Sequence, residues 1–278
     1  MYGLADCNNF YASCERVFNP NLQNTPVVVL SNNDGCVISR SNEAKKIGIK
    51  MGQPIFELKE LVKDNRVKVL SSNFILYGDM SSRVMDNLAR FSPAIEVYSI
   101  DEAFLNFSGI SINNLQNLGD SVVKAVKKNT GIPLSLGISK TKTLAKVASK
   151  LCKKFPKLNG VCVMIKEDDI IKVLKKFPIE DVWGIGRRYS KKLISIGVKT
   201  AYDFTKLSPL WIRANMSIVG VKTWKELNGE SCIEFEENVS DKKQICTSRS
   251  FSKHFEDLEE LYKSVAHFTS VSAEKLRR

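Results

Sequence analysis

Apolar and polar positions along the first 165 residues follow patterns that separate strands from helices. Short β-branched or apolar runs predict strands, and apolar residues at helical spacing predict helices. Strands are predicted at 2–5, 26–30, 67–70, 94–100, 103–107, 134–138 and 161–165, and helices at 77–88, 115–128 and 141–154. A lysine-rich helical stretch and a break at Gly52 and Pro54 lie between residues 41 and 73. This order predicts an α+β sheet with helices on one face.

The pattern changes after residue 166. Strand signals disappear, and the stretch to about residue 228 predicts short helices separated by glycines. A polar segment at 231–242 is typical of a linker, and a strand at 244–251 and an amphipathic helix with Leu258, Leu261, Val265, Phe268 and Leu276 on one face follow it. One strand and one helix bury too little to fold alone. We therefore expect the last module, 243–278, to be incomplete.

Composition narrows the class of protein. The 278 residues exceed the usual size of a single core, so two to four modules are expected. No apolar stretch approaches the ~20 residues of a membrane span, and the first residues do not form a signal peptide, so the cytoplasm is the expected location. Seven scattered cysteines without a C-x-x-C pair, and only two histidines, argue against a zinc site or a disulfide framework.

Charge points to a partner. The chain has 42 Lys and Arg against 30 Asp and Glu, a formal charge of +12. Basic side chains that face phosphates release condensed counterions, so a polyanion is the predicted partner. The alternative is that these lysines are solvated surface residues.

Two adjacent carboxylates, Asp101 and Glu102, interrupt the predicted hairpin at 94–107. Ionised carboxylates in a buried sheet need a cationic partner, and a divalent metal would serve. The alternative is a capping box formed by Ser99 and Glu102, although a strand pattern, not a helix, follows.

A third carboxylate, Asp6, ends the first apolar run; its alternative role is to cap a helix that starts near Asn8. Three carboxylates with no histidine or thiolate nearby suit two Mg²⁺ or Mn²⁺ ions ~4 Å apart. Such a pair serves phosphoryl transfer.

Basic residues are placed to meet a phosphate-bearing substrate. The helix that begins after the strand at 134–138 could offer first-turn N–H groups together with Lys140, Lys142 and Lys146, and Asn42 to Lys46 form a second cluster. Either cluster could instead be a solvated helix face. A glycine turn predicted to contact DNA phosphates, as in a helix-hairpin-helix element, comprises Gly184, Gly186, Arg187, Arg188, Lys191 and Lys192.

Ordered motifs cover the whole chain: DCNNFYASCE from residue 6, SNNDGCVISRSNEAKKIGIKMG from 31, SSNFILYGDMSSRVM from 71, YSIDEAF from 98, GISKTKTLAK from 137, DVWGIGRR from 181 and SRSF from 248. With them the chain resembles the Y family of DNA polymerases, within it the UmuC branch found in bacterial DNA polymerase V. The resemblance implies a right-hand polymerase. Its palm would be 1–10 and 74–164, its small fingers 11–73, its helical thumb 165–230, and its little finger would begin near 243.

The resemblance also implies roles for individual residues. Asp6 and Asp101 would bridge two Mg²⁺ ions, Glu102 would complete the site, and the Cys7 carbonyl would add a ligand. Tyr11 would be the steric gate against ribose, unless it is a core aromatic. The nucleotide triphosphate would meet Phe10, Asn42, Lys45 and Lys146. Asn42 and Lys45 stand where many relatives have Tyr and Arg, and Asn8 where many have an acid.

The implied activity is error-prone DNA synthesis across damaged template in the SOS response, with primer-template DNA and dNTP as substrates. The implied partners are a processed UmuD dimer, a RecA filament and the sliding clamp, and the implied location is the bacterial nucleoid. One alternative is a truncated, catalytically weak DNA-binding accessory or inhibitory form. A two-metal nuclease or nucleotide cyclase could use the same carboxylates, but neither needs a sugar gate.

Overall fold

The computed structural model describes residues 1–236, 244–248, 251 and 257–277. The strands are β1 Tyr2–Cys7, β2 Val27–Leu30, β3 Val37–Arg40, β4 Lys68–Leu70, β5 Ile95–Val97, β6 Glu102–Asn106, β7 Leu134–Ser139 and β8 Val161–Met164. The helices are α1 Phe10–Phe18, α2 Asn42–Lys46, α3 Lys59–Lys63, α4 Phe74–Ala89, α5 Leu115–Thr130, α6 Lys142–Lys154, α7 Glu167–Leu174, α8 Arg187–Ser195, α9 Ala201–Thr205, α10 Pro209–Leu227 and α11 Leu258–Arg277.

Five strands form a large sheet in the order β5-β6-β1-β7-β8. Only β7 and β8 run parallel. Ala5 and Leu105 belong to the core that α4 and α5 cover, whereas Leu4 and Phe104 pack with Ala145 of α6 on the other face. Helices therefore cover both faces, and the prediction of helices on one face is wrong. The central strands β1 and β7 are buried almost throughout, as expected for strands covered on both sides.

Helix α6 lies very close to β7. A Cβ atom on Gly137 would come within 2.1 Å of the backbone nitrogen of Ser149, so only glycine permits this approach. The same helix contributes Leu144 and Val147 to the core of a helical unit, α7 to α10. It is thus shared between the large sheet and the helical unit. The prediction that 166–228 is helical and without strands is confirmed, but the prediction of short helices broken by glycines is wrong at α10, which runs through Gly220 for 19 residues and is interrupted at Ser217.

A small sheet with the order β3-β2-β4 forms beside the large one. Val27 and Val29 of β2 pack into the core of the large sheet, while Val28 and Leu30 pack into a separate small core. Strand β3 was not predicted, because its four residues alternate too briefly to distinguish a strand from a loop.

The segment after α10 returns to the large sheet. Lys142 is fully buried and bonds both Glu96 and the carbonyl of Glu234, each at 2.5 Å, and its ammonium group lies 5.2 Å from the Phe235 ring. Residues 231–236 are therefore anchored, although they belong to the predicted linker. Its remainder, 237–242, lies outside the described residues.

The predicted strand at 244–251 is absent from 244–248, where the backbone has no regular structure, and residues 249 and 250 lie outside the described part. A single strand without a pairing partner has little to stabilise it. The predicted amphipathic helix is present as α11, and Ser272 donates a hydrogen bond to Thr247 Oγ1 at 2.9 Å. Within the described residues, every helix is too short or too polar to cross a membrane.

Candidate active site

Asp6 of β1 and Glu102 of β6 face each other on neighbouring strands of the large sheet. They are directly paired in the antiparallel register of β1 and β6, which places opposite Cβ atoms about 4.5–5.5 Å apart. The N–H of Cys7 donates to the carbonyl of Asp101 at 2.9 Å, so the hairpin turn is fastened to the end of β1. Three carboxylates are thereby carried at one edge of the sheet.

Ser99 shapes the turn that presents Asp101. Its hydroxyl accepts the N–H of Glu102 at 3.0 Å and donates to Asp101 Oδ1 at 2.7 Å. The local bonding resembles a cap, but Glu102 begins strand β6, so the interpretation as a helix-capping box is wrong. The alternative role of Asp6 is wrong as well, because Asn9 occupies the cap position of α1.

Two of the carboxylates are paired with lysines of α6. Lys153 Nζ lies 2.5 Å from Asp6, and Lys146 Nζ lies 3.0 Å from Glu102. Burial raises the pKa of Asp6 to about 6; Lys153 opposes this shift, and the charges of Glu102 and Asp101 add to it. The three carboxylates outnumber the two lysines paired with them, which favours binding of a further cation.

The cleft beside these groups has a volume of about 270 Å³ and lies between the large sheet and the helical unit. Its polar lining comprises Asp6, Glu102, Lys146, Lys150, Lys153 and Asp181. Among the residues that the structure describes, no three His, Cys, Asp or Glu side chains already surround a metal position. The acidic donors present are all oxygens, which fits a hard ion such as Mg²⁺.

Tyr11 lies next to the carboxylates on the first turn of α1. Its ring stacks on Tyr77 with 4.4 Å between centroids and contacts the edge of Phe74 at 5.9 Å. Burial raises the pKa of Tyr11, and the nearby charge of Asp101 adds to this. The ring is thus held against the core while remaining partly exposed. The Phe10 side chain, in contrast, is buried, so only its backbone could meet a phosphate.

Asn42 and Lys45 of α2 both bond to Asn9, which lies at the start of α1 near the carboxylates. Asn9 donates to Asn42 Oδ1 at 3.0 Å and accepts from Lys45 Nζ at 2.5 Å. Burial lowers the pKa of Lys45, and the charges of Arg40 and Lys153 lower it further. The structure therefore brings the predicted α2 cluster close to the carboxylates.

The predicted anion site at the first turn of α6 is already occupied by a protein carboxylate. Glu226, fully buried in α10, accepts the N–H of Thr143 at 3.0 Å, and Thr141 caps the N–H of Leu144 at 3.2 Å. Lys142 is buried in its pair with Glu96. The expectation that this turn offers N–H groups and the Lys142 ammonium to a substrate is therefore wrong, whereas Lys146, one turn later, faces the cleft.

The turn before α8 contains a position, Gly184, where the backbone conformation and the nearby helix α10 both favour glycine. Gly184 has φ +86°, and a Cβ there would lie 2.6 Å from Thr223 Oγ1 of α10. Gly186 precedes α8 in an extended conformation. Arg187, Arg188 and Lys191 are exposed beside this turn, while Lys192 donates to Asn215 Oδ1 at 2.8 Å. Three of the four predicted DNA-contacting cations thus remain available to a ligand.

Sequence reasoning missed three residues of the site. Lys153 lies seven residues after Lys146, a spacing that places both on one face of α6 and that could have identified it. Asn9 has a positive φ of 52°, which asparagine tolerates better than most residues. Trp183 contacts Tyr98 of the hairpin, a contact between distant segments that no local pattern indicates.

Comparison with known proteins agrees with this arrangement. The chain is 46% identical over 279 residues to the protein UmuC and 45% identical over 280 residues to the protein ImpB, both of Salmonella typhimurium. Each alignment includes all of this chain, which spans 66% of the relative's length. A DNA polymerase IV of Desulfatibacillum aliphaticivorans is 30% identical over 284 residues, 98% of this chain and 68% of that protein.

Solved structures share the fold. The crystal structure of DinB from Sulfolobus solfataricus matches with a TM-score of 0.71, and the insertion ternary complex of Dbh DNA polymerase with 0.72. Each is 25% identical and covers 84% of this chain and 68% of the other. The fold is that of the Y-family DNA polymerases, as the motifs predicted. The chain belongs to the impB/mucB/samB family, which matches residues 5–150, and residues 167–198 match the IMS family HHH motif.

Proposed function

We propose that the chain carries the catalytic core of a translesion DNA polymerase. The observation that carries this proposal is the pairing of Asp6 with Glu102 in the strand register, with Asp101 on the adjoining turn. The same edge holds Tyr11 and Lys146, so acidic, aromatic and basic groups lie close together there. The similarity to UmuC and to a DNA polymerase IV supports template-directed synthesis across damaged DNA as the activity.

Asp6, Asp101, Glu102 and the carbonyl of Cys7 would hold two divalent ions, preferably Mg²⁺. When bound, the ions would activate the primer hydroxyl and stabilise the leaving pyrophosphate. The protein orients these donors by strand pairing and by the Ser99 turn, so little reorganisation is needed. Glu102 would complete the site on the side of the primer end.

The remaining groups would bind the incoming nucleotide. Lys146, Lys45 and Asn42 would bind the triphosphate, with the backbone of Phe10. Tyr11 would lie under the sugar, where its stacked ring leaves no room for a ribose 2′-hydroxyl. The ring is held by Tyr77 and Phe74, so it cannot easily yield to a larger sugar.

We assign the large sheet, residues 1–10 and 74–164, as the palm, 11–73 as the fingers and 165–230 as the thumb. Residues 231–242 would link the thumb to a little finger at 243–278. The glycine turn with Arg187, Arg188, Lys191 and Lys192 would contact duplex phosphates, which position DNA without reading its sequence. A processed UmuD dimer, a RecA filament and the sliding clamp are proposed as partners of the whole protein, and the nucleoid as its location.

The decisive experiment is extension of a labelled primer on an undamaged and an abasic template, at low salt with Mg²⁺. The unaltered chain should extend both, and Asp101→Ala should abolish extension while primer-template binding persists. Asp79→Ala, which removes only an exposed ion pair with Arg83, is the matched control and should extend normally. Binding without any extension by the unaltered chain would contradict the proposal.

A further inference from the structure

A groove with a volume of about 510 Å³ lies between the last turns of α6 and α7. This lysine groove is lined by five basic side chains, Lys150, Lys153, Lys154, Lys172 and Lys176. It adjoins the cleft, with which it shares two of these lysines and Asp181, but its lining includes no residue of the glycine turn or of α8. The groove is therefore a different surface from the one proposed to contact duplex DNA, and its volume is that of a ligand-binding pocket.

The floor of the lysine groove is apolar. Leu151 comes from the last turn of α6 and Val173 from the last turn of α7, and the other apolar residues of the lining are Phe155, Phe177 and Pro178. Phe155 is 48% exposed. Apolar surface left open to water beside a polar rim marks many interaction sites. The preference of helix C-termini for lysines accounts for part of the charge but not for this apolar floor.

The lysine groove carries a surplus of positive charge. Of the described residues that line it, Asp181 alone is acidic. Three of the lysines already have a carboxylate partner: Lys150 has Asp181, Lys153 has Asp6 and Lys172 has Asp169. Lys154 and Lys176 are exposed and form no ion pair with any carboxylate of the described residues. Positive charge around an apolar floor complements a ligand that has both acidic and apolar groups.

A peptide fits this surface better than a single-stranded nucleic acid does. Single strands bind through bases that stack on aromatic rings. Phe177 is buried, with Lys150 Nζ 5.6 Å from its ring centroid, and Lys154 Nζ lies 5.9 Å from the centroid of Phe155. Ammonium groups therefore already lie over both rings. A large apolar side chain of a peptide needs only a water-excluding apolar floor, and its acidic neighbours need only ammonium groups at the rim.

We propose that the lysine groove binds an acidic peptide segment of a partner protein. A large apolar side chain of the segment lies against Leu151, Val173 and Phe155, and flanking carboxylates bind Lys154 and Lys176. The inference does not depend on DNA synthesis, because the lining includes none of the three carboxylates of the proposed metal site. Since the groove shares Lys153 with the cleft, a bound segment places the partner beside the proposed active site.

Fluorescence anisotropy with a labelled peptide, Glu-Asp-Leu-Trp-Asp-Glu, tests the proposal on the unaltered chain at low salt. Binding should saturate with a Kd below about 1 mM. Lys154→Ala combined with Lys176→Ala should raise this Kd about tenfold, as expected for the loss of two exposed ion pairs. Lys124→Ala combined with Lys128→Ala removes the same charge from the exposed side of α5 and should leave the Kd unchanged. Absence of saturable binding, or equal weakening by the two double variants, would overturn the inference.

The apolar floor is tested separately from the charge. A second peptide, Glu-Asp-Ser-Gly-Asp-Glu, keeps the acidic residues but has no apolar side chain, and it should bind more weakly than the first. Val173→Thr nearly preserves the shape of the side chain and adds a hydroxyl group. It should raise the Kd of the Leu-Trp peptide about threefold, because apolar contact is lost, and leave that of the Ser-Gly peptide unchanged. Equal affinities of the unaltered chain for the two peptides would overturn the inference.

Nuclear magnetic resonance locates the bound peptide, and two further measurements examine other occupants. Backbone amide signals of Leu151, Val173 and Phe177 should shift when the Leu-Trp peptide is added, whereas those of α5 should not. Shifts confined to other parts of the chain would contradict the assignment. Tighter binding of hexathymidylate that requires Lys154 and Lys176 would assign the groove to nucleic acid, and dimerisation that requires them would assign it to a second copy of the chain. Either result would overturn the assignment to an acidic peptide.

Discussion

Asp6 and Glu102 stand directly opposite each other on antiparallel strands, and each is paired with a different lysine of the same helix. Like charges at directly opposed positions repel, so this pairing destabilises the sheet unless cations are near. Lys153 and Lys146 supply them from α6. The arrangement makes the stability of the metal-free protein depend on how these groups are charged.

The metal-free chain should lose stability as the pH rises through 6. Burial raises the pKa of Asp6 from 3.8 to about 6, so the folded state holds this proton more tightly than the unfolded state. The stabilising contribution is complete below pH 4 and lost above pH 6; it amounts to about 3 kcal/mol. In urea unfolding with EDTA, the unfolding free energy of Asp6→Asn relative to that of the unaltered chain should therefore increase as the pH rises from 4.5 to 7.5.

Asp79→Asn is the matched control for this measurement, because Asp79 is an exposed carboxylate. Its stability relative to the unaltered chain should not vary with pH over the same interval. A difference between Asp6→Asn and the unaltered chain that stays constant from pH 4.5 to 7.5 would show that Asp6 has an ordinary pKa.

Mg²⁺ should stabilise the chain against unfolding. A ligand bound only by the folded state raises the unfolding free energy by about 2.7 kcal/mol at one hundred times its Kd. The gain should be larger at pH 7.5 than at 5.5, because protons compete for Asp6 in the more acidic solution. Thermal unfolding with and without Mg²⁺ measures it, and Asp101→Asn should reduce it. Equal gains at both pH values would place the bound ion elsewhere.

Replacement of Tyr11 by alanine should relax discrimination between deoxyribose and ribose. The ratio of kcat/KM for dTTP to that for UTP should fall by at least about tenfold, since a steric conflict worth 1.4 kcal/mol or more disappears. Phe18→Ala is the control, because Phe18 lies at the far end of α1 with its side chain exposed. A Tyr11→Ala variant that rejects UTP as strongly as the unaltered chain would remove Tyr11 from the gate.

Replacement of Glu226 should destabilise the fold. Its carboxylate accepts N–H groups of Thr143, Cys232 and Ile233, and an alanine would leave these donors without their partner. We expect a loss of about 2–4 kcal/mol in unfolding free energy, measured by urea titration, with a smaller loss for Glu226→Gln. Glu230→Ala, on the exposed side, should cost less than about 1 kcal/mol. Similar losses for both would show that the buried bonds contribute little.

Lys191 should contribute to DNA affinity through charge. Lys191→Ala should weaken binding to a primer-template and reduce the slope of log K against log salt by about 1, as expected for the loss of one phosphate contact. Lys124→Ala, an equal change of charge on the exposed side of α5, should leave the slope unchanged. Fluorescence anisotropy at several salt concentrations gives both slopes. Equal slopes for the two variants would show that α8 does not contact the duplex.

Local patterns predicted most of the elements but few of the contacts between them. The alternation at 94–107 indicates a hairpin and the spacing at 141–154 a helix because neighbouring residues determine both, and the structure confirms them. Residue type and position also indicated the carboxylates, whereas Lys146 was singled out by the resemblance to the family, and their roles stay predictions. The fold class followed from the motifs.

Contacts across long stretches of chain could not be inferred from such patterns. Lys153 pairs with Asp6 across 147 residues, and Glu226 caps α6 from 83 residues away. The first of these contacts places the ammonium group of Lys153 in the cleft. The second occupies an N–H group at the start of α6 that an anion would otherwise bind. Side-chain pairing of this kind depends on how the units pack, which hydrophobic spacing does not encode.

The pairing of Lys146 and Lys153 with carboxylates of the cleft has a consequence for the order of binding. A divalent ion that enters between Asp6 and Glu102 has to displace two ammonium groups, so its uptake is an exchange of cations rather than simple capture. The released ammonium groups then face a site that has become more positive, which suits the arrival of a polyphosphate. Metal and nucleotide should accordingly bind better together than either does alone, because the lysines of α6 can exchange a carboxylate partner for a phosphate.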